Sequence, residues 1–126
     1  MANISWIEDY CVGDAMIDSQ HRYLFCLAND LLASGTKAEL TDNAMKLFRY
    51  AHEHFDHEEA VMRKIEYPAY QEHIVMHEML ITQLSAISND IRKDQWSATT
   101  LQRFMNEWLT SHIVKEDAKL GGFIKK

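Results

Sequence analysis

The segment HFDHEEAVM, residues 54–62, constrains the fold of this chain more than any other segment. Its apolar residues recur with a helical period. His54 and Glu58, four residues apart, share one helical face with Phe55 and Met62. Burying an imidazole and a carboxylate together is unfavourable unless both groups gain partners. The segment therefore predicts a helix that carries metal-ligand residue types within an apolar core.

Four stretches of the chain have this helical period, at roughly residues 19–33, 41–65, 70–92 and 98–118. Asp18 and Ser97 are the expected N-caps of the first and fourth helices, and Pro68 follows the second. Residues 1–18 lack a helical period, and the tail GGFIKK follows the last helix. The short connections predict an all-α fold, an antiparallel up-down four-helix bundle with an extended N-terminal arm, as a single domain over residues 1–126.

The composition excludes several classes of partner. The 126 residues are 47% hydrophobic and 25% charged, and the net charge of −6 argues against binding to nucleic acid. No apolar stretch approaches the roughly 18 residues that a membrane span needs, and no signal peptide is visible. Cys11 and Cys26 form neither a disulfide framework nor a CxxC pair, which fits a reducing compartment. We therefore expect a cytoplasmic protein.

Each predicted helix places at least one potential metal ligand on its inner face. These residues are His21, then His54 and Glu58, then His73 and His77, and finally His112 and Asp117. A single inward histidine is more often an ordinary core residue. Five imidazoles and two carboxylates in one small core, however, cannot all satisfy one another, so the joint pattern favours a metal site. His52 and His57 lie off the inner rows and are expected at the solvated surface.

The number of ligands predicts two metal ions. A single zinc ion takes about four ligands, and the sequence contains no HExxH motif. Two octahedral ions offer twelve positions. Five histidine nitrogens, two bridging carboxylates and one oxo or hydroxo bridge fill eleven of these, leaving one open. His73, His77 and His112 would complete one ion, whereas His21 and His54 would leave the other open. The nitrogen-rich donor set favours iron, with manganese, cobalt or zinc as alternatives.

The motifs VGDAMIDSQHRYLF, YAHEHFDHEEAVM, HIVMH and WLTSHIVKED resemble those of the hemerythrin family, and of bacterial hemerythrin domains in particular. The resemblance covers nearly the whole chain, and all seven expected ligand positions hold the expected residue types. It implies two iron ions with a bridging oxo or hydroxo group, and reversible binding of dioxygen at the open iron. Azide or other small anions are the expected ligands of the diferric form.

Apolar side chains are expected around the open position. They are Leu24, Phe55, Trp108, Ile113 and Val114. The sequence also lacks the ExxH pairs that mark carboxylate-rich di-iron sites. Both features favour an oxygen carrier, store or delivery protein over an enzyme, so no catalytic residue is assigned.

Two other functions stay open at this point. One is a dioxygen- or redox-sensing input domain of a signalling protein, such as a diguanylate cyclase or chemoreceptor, with a fused or partner output domain. The other is a di-iron oxidase or an enzyme that handles peroxide or nitric oxide.

The spacing of His112 and Asp117 predicts an irregular helix. Five residues correspond to about 500° of rotation, so the two side chains would diverge by about 140° on an ideal helix. Two ligands of one site cannot point so far apart. The sequence therefore predicts a local widening, such as a π-type turn, between them.

Overall fold

The structure, a computed structural model, describes Trp6 and residues 10–124, apart from the side chains of Thr110, Ile113 and Val114. The helices are α1 (Ala15–Leu32), α2 (Lys37–Lys64), α3 (Tyr70–Arg92), α4 (Ala98–Glu107), a π segment (Trp108–Glu116) and α5 (Asp117–Ile124). The last three run on without a break and form one fourth rod. The predicted four-helix bundle is confirmed. Most of the predicted arm, residues 1–5 and 7–9, lies outside the described residues.

The first helix begins earlier than predicted, because Asp14 and not Asp18 is its N-cap. The Asp14 carboxylate accepts a hydrogen bond from the Ile17 backbone N–H at 3.0 Å. Asp18 lies inside the helix and is buried. Its carboxylate accepts hydrogen bonds from the backbone N–H groups of Val12, at 2.7 Å, and Gly13, at 3.4 Å. Asp18, the predicted cap, therefore holds the preceding loop against α1 and does not start the helix.

The other helix starts follow local capping rules. Thr36 caps α2 by accepting a hydrogen bond from the Glu39 backbone N–H, so α2 begins before the predicted residue 41. The predicted range of α3 is confirmed. Ser97 is confirmed as the cap of α4, since its hydroxyl accepts a hydrogen bond from the Thr100 backbone N–H.

The predicted end of the last helix is wrong. The fourth rod continues through both glycines of the GGFIKK tail to Ile124. A Cβ atom built on Gly121 would lie 2.9 Å from the Cα of Val12, whereas one on Gly122 would meet nothing within 4 Å. Gly121 is therefore a point of close approach between α5 and the loop before α1, and it does not end the helix.

The core consists of two apolar clusters with a polar layer between them. The larger cluster includes Leu24, Ala51, Leu80 and Leu109. The smaller cluster consists of Val12, Ile17, Met62, Tyr67 and Leu120. The predicted metal ligands lie between the two clusters along the helices. Within the described residues, no helix is long and apolar enough to cross a membrane.

Candidate metal centre

All seven predicted ligand side chains meet in the polar layer. Their relative exposures lie between 0% and 3%. Their donor atoms form two groups, each with atoms within 4.8 Å of one another. The groups are Glu58, His73, His77 and His112, and His21, His54, Glu58 and Asp117. The histidines are therefore divided between two positions in the way that the sequence predicts, with Glu58 common to both.

The carboxylate of Glu58 faces both histidine sets. Its Oε1 atom lies 2.8 Å from His73 Nε2 and 3.1 Å from His77 Nε2. Its Oε2 atom lies 3.2 Å from His54 Nε2 and 3.4 Å from His21 Nε2. Each oxygen thus points to a different set, as in a carboxylate that bridges two ions.

Asp117 repeats this division from the opposite helix. Its Oδ1 atom lies 2.9 Å from His73 Nε2 and 3.3 Å from His112 Nε2. Its Oδ2 atom lies 2.9 Å from His21 Nε2. The two carboxylates therefore span the same pair of positions.

The helix between His112 and Asp117 widens as predicted. Residues Trp108–Glu116 form a π-helix, and the backbone N–H of Asp117 donates to the backbone carbonyl of His112. This i to i−5 hydrogen bond brings two residues that are five apart onto one face. Both side chains are buried as a result.

Several buried polar atoms of the layer have no hydrogen-bond partner in the described part of the chain. They are Nε2 of His21, His54 and His112, Oε2 of Glu58, and both carboxylate oxygens of Asp117. These atoms approach one another closely without forming hydrogen bonds. Buried polar groups of this kind are unfavourable unless something else binds them. Donor atoms that converge without bonding one another fit a pair of cations.

The acidic groups of the layer stay ionised. Burial by itself raises the pKa of Glu58, but close contacts with the imidazoles of His21, His54, His73 and His77 outweigh it and hold that pKa well below its ordinary value. Burial and the nearby Glu58 likewise raise the pKa of Asp117, and the surrounding histidines more than offset this. Both side chains are therefore in the anionic form that binds metal ions.

The histidines divide by their contact with these carboxylates. Burial lowers the pKa of His21 and of His73, but contacts with Asp117 and Glu58 outweigh it and raise the two pKa values to about 9 and about 10. At His112 and His54 burial dominates, lowering the pKa of His112 to about 4 and that of His54 below its ordinary value. His54 and His112 are therefore neutral at pH 7 and present an Nε2 lone pair to a cation.

Three outer contacts, which the sequence analysis did not find, orient the histidines. Gln20 Oε1 lies 2.8 Å from His54 Nδ1, Glu59 Oε2 lies 2.8 Å from His77 Nδ1, and Met76 Sδ lies 3.3 Å from His112 Nδ1. Such partners fix the ring so that Nε2 points inward. Each is the sequence neighbour of a predicted ligand. A polar or sulfur-containing side chain that adjoins a predicted ligand and faces a neighbouring helix is the signal that could have identified them.

The structure places three of the predicted pocket residues in the core. Leu24, Phe55 and Trp108 are buried in the larger apolar cluster. The Phe55 ring stacks on His77, with centroids 3.9 Å apart, and contacts the ring of Trp108 edge-on. The side chains of the other two, Ile113 and Val114, lie outside the described part of the chain. The pocket itself stays a prediction.

The two remaining histidines differ from each other. His52 is exposed, as expected, with Nδ1 3.5 Å from Asp56 Oδ2. His57 was expected at the solvated surface but is half-buried, and its Nε2 atom is enclosed. Neither residue belongs to the two donor groups.

A helical bundle with two adjoining histidine and carboxylate groups in its core defines a class, the proteins that bind paired metal ions between their helices. The sequence model of one such family, the hemerythrin HHE cation binding domain, matches residues 12–124. The chain therefore belongs to the hemerythrin family.

Curated relatives and solved structures agree with this assignment. Hemerythrin subunit alpha of Lingula reevii is 31% identical over 124 residues, which cover 96% of this chain and 95% of that protein. A bacteriohemerythrin of Stenotrophomonas maltophilia is 26% identical over 128 residues, covering 99% and 84%. A crystal structure of wild-type hemerythrin superposes with a TM-score of 0.87 at 25% identity, covering 99% and 100%. Membership of this family identifies the chain as a di-iron, oxygen-binding protein.

Proposed function

We propose that the chain is a single domain over residues 1–126 that carries, stores or delivers dioxygen at a pair of iron ions. His73, His77 and His112 hold one ion, and His21 and His54 hold the other. Glu58 and Asp117 bridge both ions, together with an oxo or hydroxo group. The observation that carries this proposal is the division of each carboxylate between the two histidine sets.

Because three histidines would hold one ion and only two the other, the ion held by His21 and His54 would have a position free for dioxygen. Iron supplies the electrons that reversible binding of dioxygen requires. The chain supplies an apolar surround, because Leu24, Phe55 and Trp108 lie buried in the cluster beside the polar layer. These three side chains disfavour water, and none of them is an acid or a base that could transfer a proton to bound dioxygen. This surround therefore supports binding over catalysis, and we propose that the protein is not an enzyme.

Iron analysis and absorption spectra test this function. We expect two irons per chain, a colourless reduced protein, and a visible band that forms with dioxygen and disappears when dioxygen is removed. One metal per chain at full loading would contradict the paired site. Sustained consumption of dioxygen with an added reductant, in place of reversible cycles, would indicate an enzyme.

A further inference from the structure

His112 differs from the other outer-contact histidines in the atom that receives its Nδ1–H. His54 and His77 face oxygen atoms of Gln20 and Glu59 at 2.8 Å, whereas His112 faces the thioether sulfur of Met76 at 3.3 Å. Because Nε2 of His112 would bind the ion of the proposed metal centre, the ring proton lies on Nδ1, which faces the sulfur. A thioether is a weak acceptor. His112 therefore receives the weakest outer support of the three histidines.

Met76 is within reach of small molecules from solvent. Met76 is half-buried and lines a surface pocket of about 230 Å³ between α3 and the fourth rod. The same pocket reaches His112 and is bordered by Trp108 and Ser111. Met79, one turn further along α3, lines this pocket too, but it is 56% exposed and is not among the outer contacts. The pocket therefore holds two thioethers, of which one contacts a proposed metal ligand.

We propose that Met76 controls how strongly His112 donates electrons to the metal ion, and that Met76 is a site of oxidative modification. Oxidation of Met76 to the sulfoxide by hydrogen peroxide would then change the metal centre. A sulfur lone pair attacks one peroxide oxygen, and the O–O bond breaks. The leaving hydroxide takes the proton of the transferred hydroxyl and becomes water. The sulfur is oxidised by two electrons, and the peroxide is reduced. This inference rests on the proposed metal centre.

The modification exchanges a weak acceptor for a strong one. A sulfoxide oxygen accepts a hydrogen bond far better than a thioether does, and the adjoining pocket gives the flexible methionine room to present that oxygen to Nδ1. A histidine whose outer N–H has a stronger acceptor is a more basic ligand through its other nitrogen. Oxidation of Met76 is therefore expected to tighten the hold on iron, whereas oxidation of Met79 is expected to leave it unchanged.

Three variants of the iron-loaded protein separate these roles. Met76→Leu keeps the bulk but removes the acceptor and cannot be oxidised. Met76→Gln supplies an amide oxygen on an unbranched side chain and imitates the sulfoxide. Met79→Leu is the matched control in the same pocket. Each diferric protein is treated with hydrogen peroxide, then with catalase, and the oxidised methionines are located by peptide mass spectrometry. The rate of iron release to a chelator is measured before and after treatment.

Before treatment, we expect iron release to be faster in Met76→Leu than in wild type, by up to about tenfold, and slower in Met76→Gln. Peroxide should oxidise Met76 and slow iron release severalfold in wild type and in Met79→Leu, with no change in either Met76 variant. Equal release from untreated Met76→Leu and wild type would overturn the inference. So would a peroxide effect that persists in Met76→Leu, or a folded wild type in which Met76 resists oxidation. Failure of wild type to bind two irons would instead contradict the proposed function.

Discussion

Glu58 and Asp117 occupy equivalent places in the proposed metal centre, but they lie on two helices of different geometry. Glu58 follows His54 by four residues on the regular helix α2, and Asp117 follows His112 by five residues through the π segment. Both side chains are fully buried, and both divide their oxygens between the same two positions. The comparison indicates that the positions of the proposed ligands take precedence over helix regularity. Where the spacing does not fit an α-helix, the backbone widens.

Removing either carboxylate is expected to have the largest effect. Glu58 contacts four histidines and Asp117 contacts three. Glu58→Ala should therefore lose nearly all bound iron, and Asp117→Ala should lose most of it, because each removes a bridge and one of the two negative charges. Iron content by plasma emission checks this, with the exposed His52→Ala as the control that keeps two irons. A variant lacking Glu58 that still binds two irons would exclude it as a bridge.

Single-residue deletions test the two geometries directly. Deleting the exposed Val75, between His73 and His77 on α3, rotates the rest of that helix by about 100° and should abolish iron binding. Deleting the exposed Lys115 brings His112 and Asp117 to a spacing of four and lets the π segment return to an α-helix. That protein should keep both irons. Equal loss of iron in the two deletions would show that the widened segment cannot adapt.

A smaller effect is expected from the apolar surround of the open position. Leu24 and Leu31 lie on the same face of α1 and are both buried, but only Leu24 is one turn from His21. Changing either to Ser should reduce the free energy of unfolding by roughly 2–4 kcal/mol. Only Leu24→Ser should admit water and anions to the open position. In the wild-type pocket a polar group without a hydrogen-bond partner is penalised by roughly 1–3 kcal/mol, and the serine hydroxyl would supply a partner.

We therefore expect severalfold faster azide binding to diferric Leu24→Ser, and faster decay of its oxygenated form. Stopped-flow absorption on wild type and both serine variants, at matched iron loading, measures this. If both serine variants bind azide at the wild-type rate, Leu24 is a core residue only.

The smallest expected change lies at the end of the fourth rod, where two adjacent glycines differ in their surroundings. Gly121→Ala would press a Cβ against Val12 and should lower the free energy of unfolding by about 1–3 kcal/mol. Gly122→Ala meets open space and should raise it by up to about 1 kcal/mol, because alanine favours helix. Urea unfolding curves give both values. A destabilising Gly122→Ala would contradict the open surroundings.

The regular helices and the layer of polar residues between them could be predicted from the sequence. Helical period alone assigns the range of α3 and brings seven polar residues to one layer, because both results depend on spacing within single helices. The widening between His112 and Asp117 was also predictable, since it follows from a spacing that an α-helix cannot satisfy.

Contacts between distant segments could not be predicted in this way. Asp14 and Asp18 are both acceptable N-caps, but the Asp18 carboxylate binds the backbone N–H groups of Val12 and Gly13 in the preceding loop. Glycine often ends a helix, yet the helix continues through Gly121. The loop before α1 lies against this residue. Glu59 and Met76 adjoin predicted ligands, but their partners are histidines on neighbouring helices. Each case depends on how helices pack, which the helical period does not encode.

We expect the π segment to be the part of the bundle that opens first. π-helical turns are rare and mostly short, so the amide protons of this nine-residue segment should exchange with solvent sooner than those of α2 and α3. A local opening there withdraws His112 and Asp117 while Glu58 and the histidines of α2 and α3 stay in place. Such an opening would release one face of the proposed metal pair without global unfolding, and we expect iron to enter and leave at this stretch.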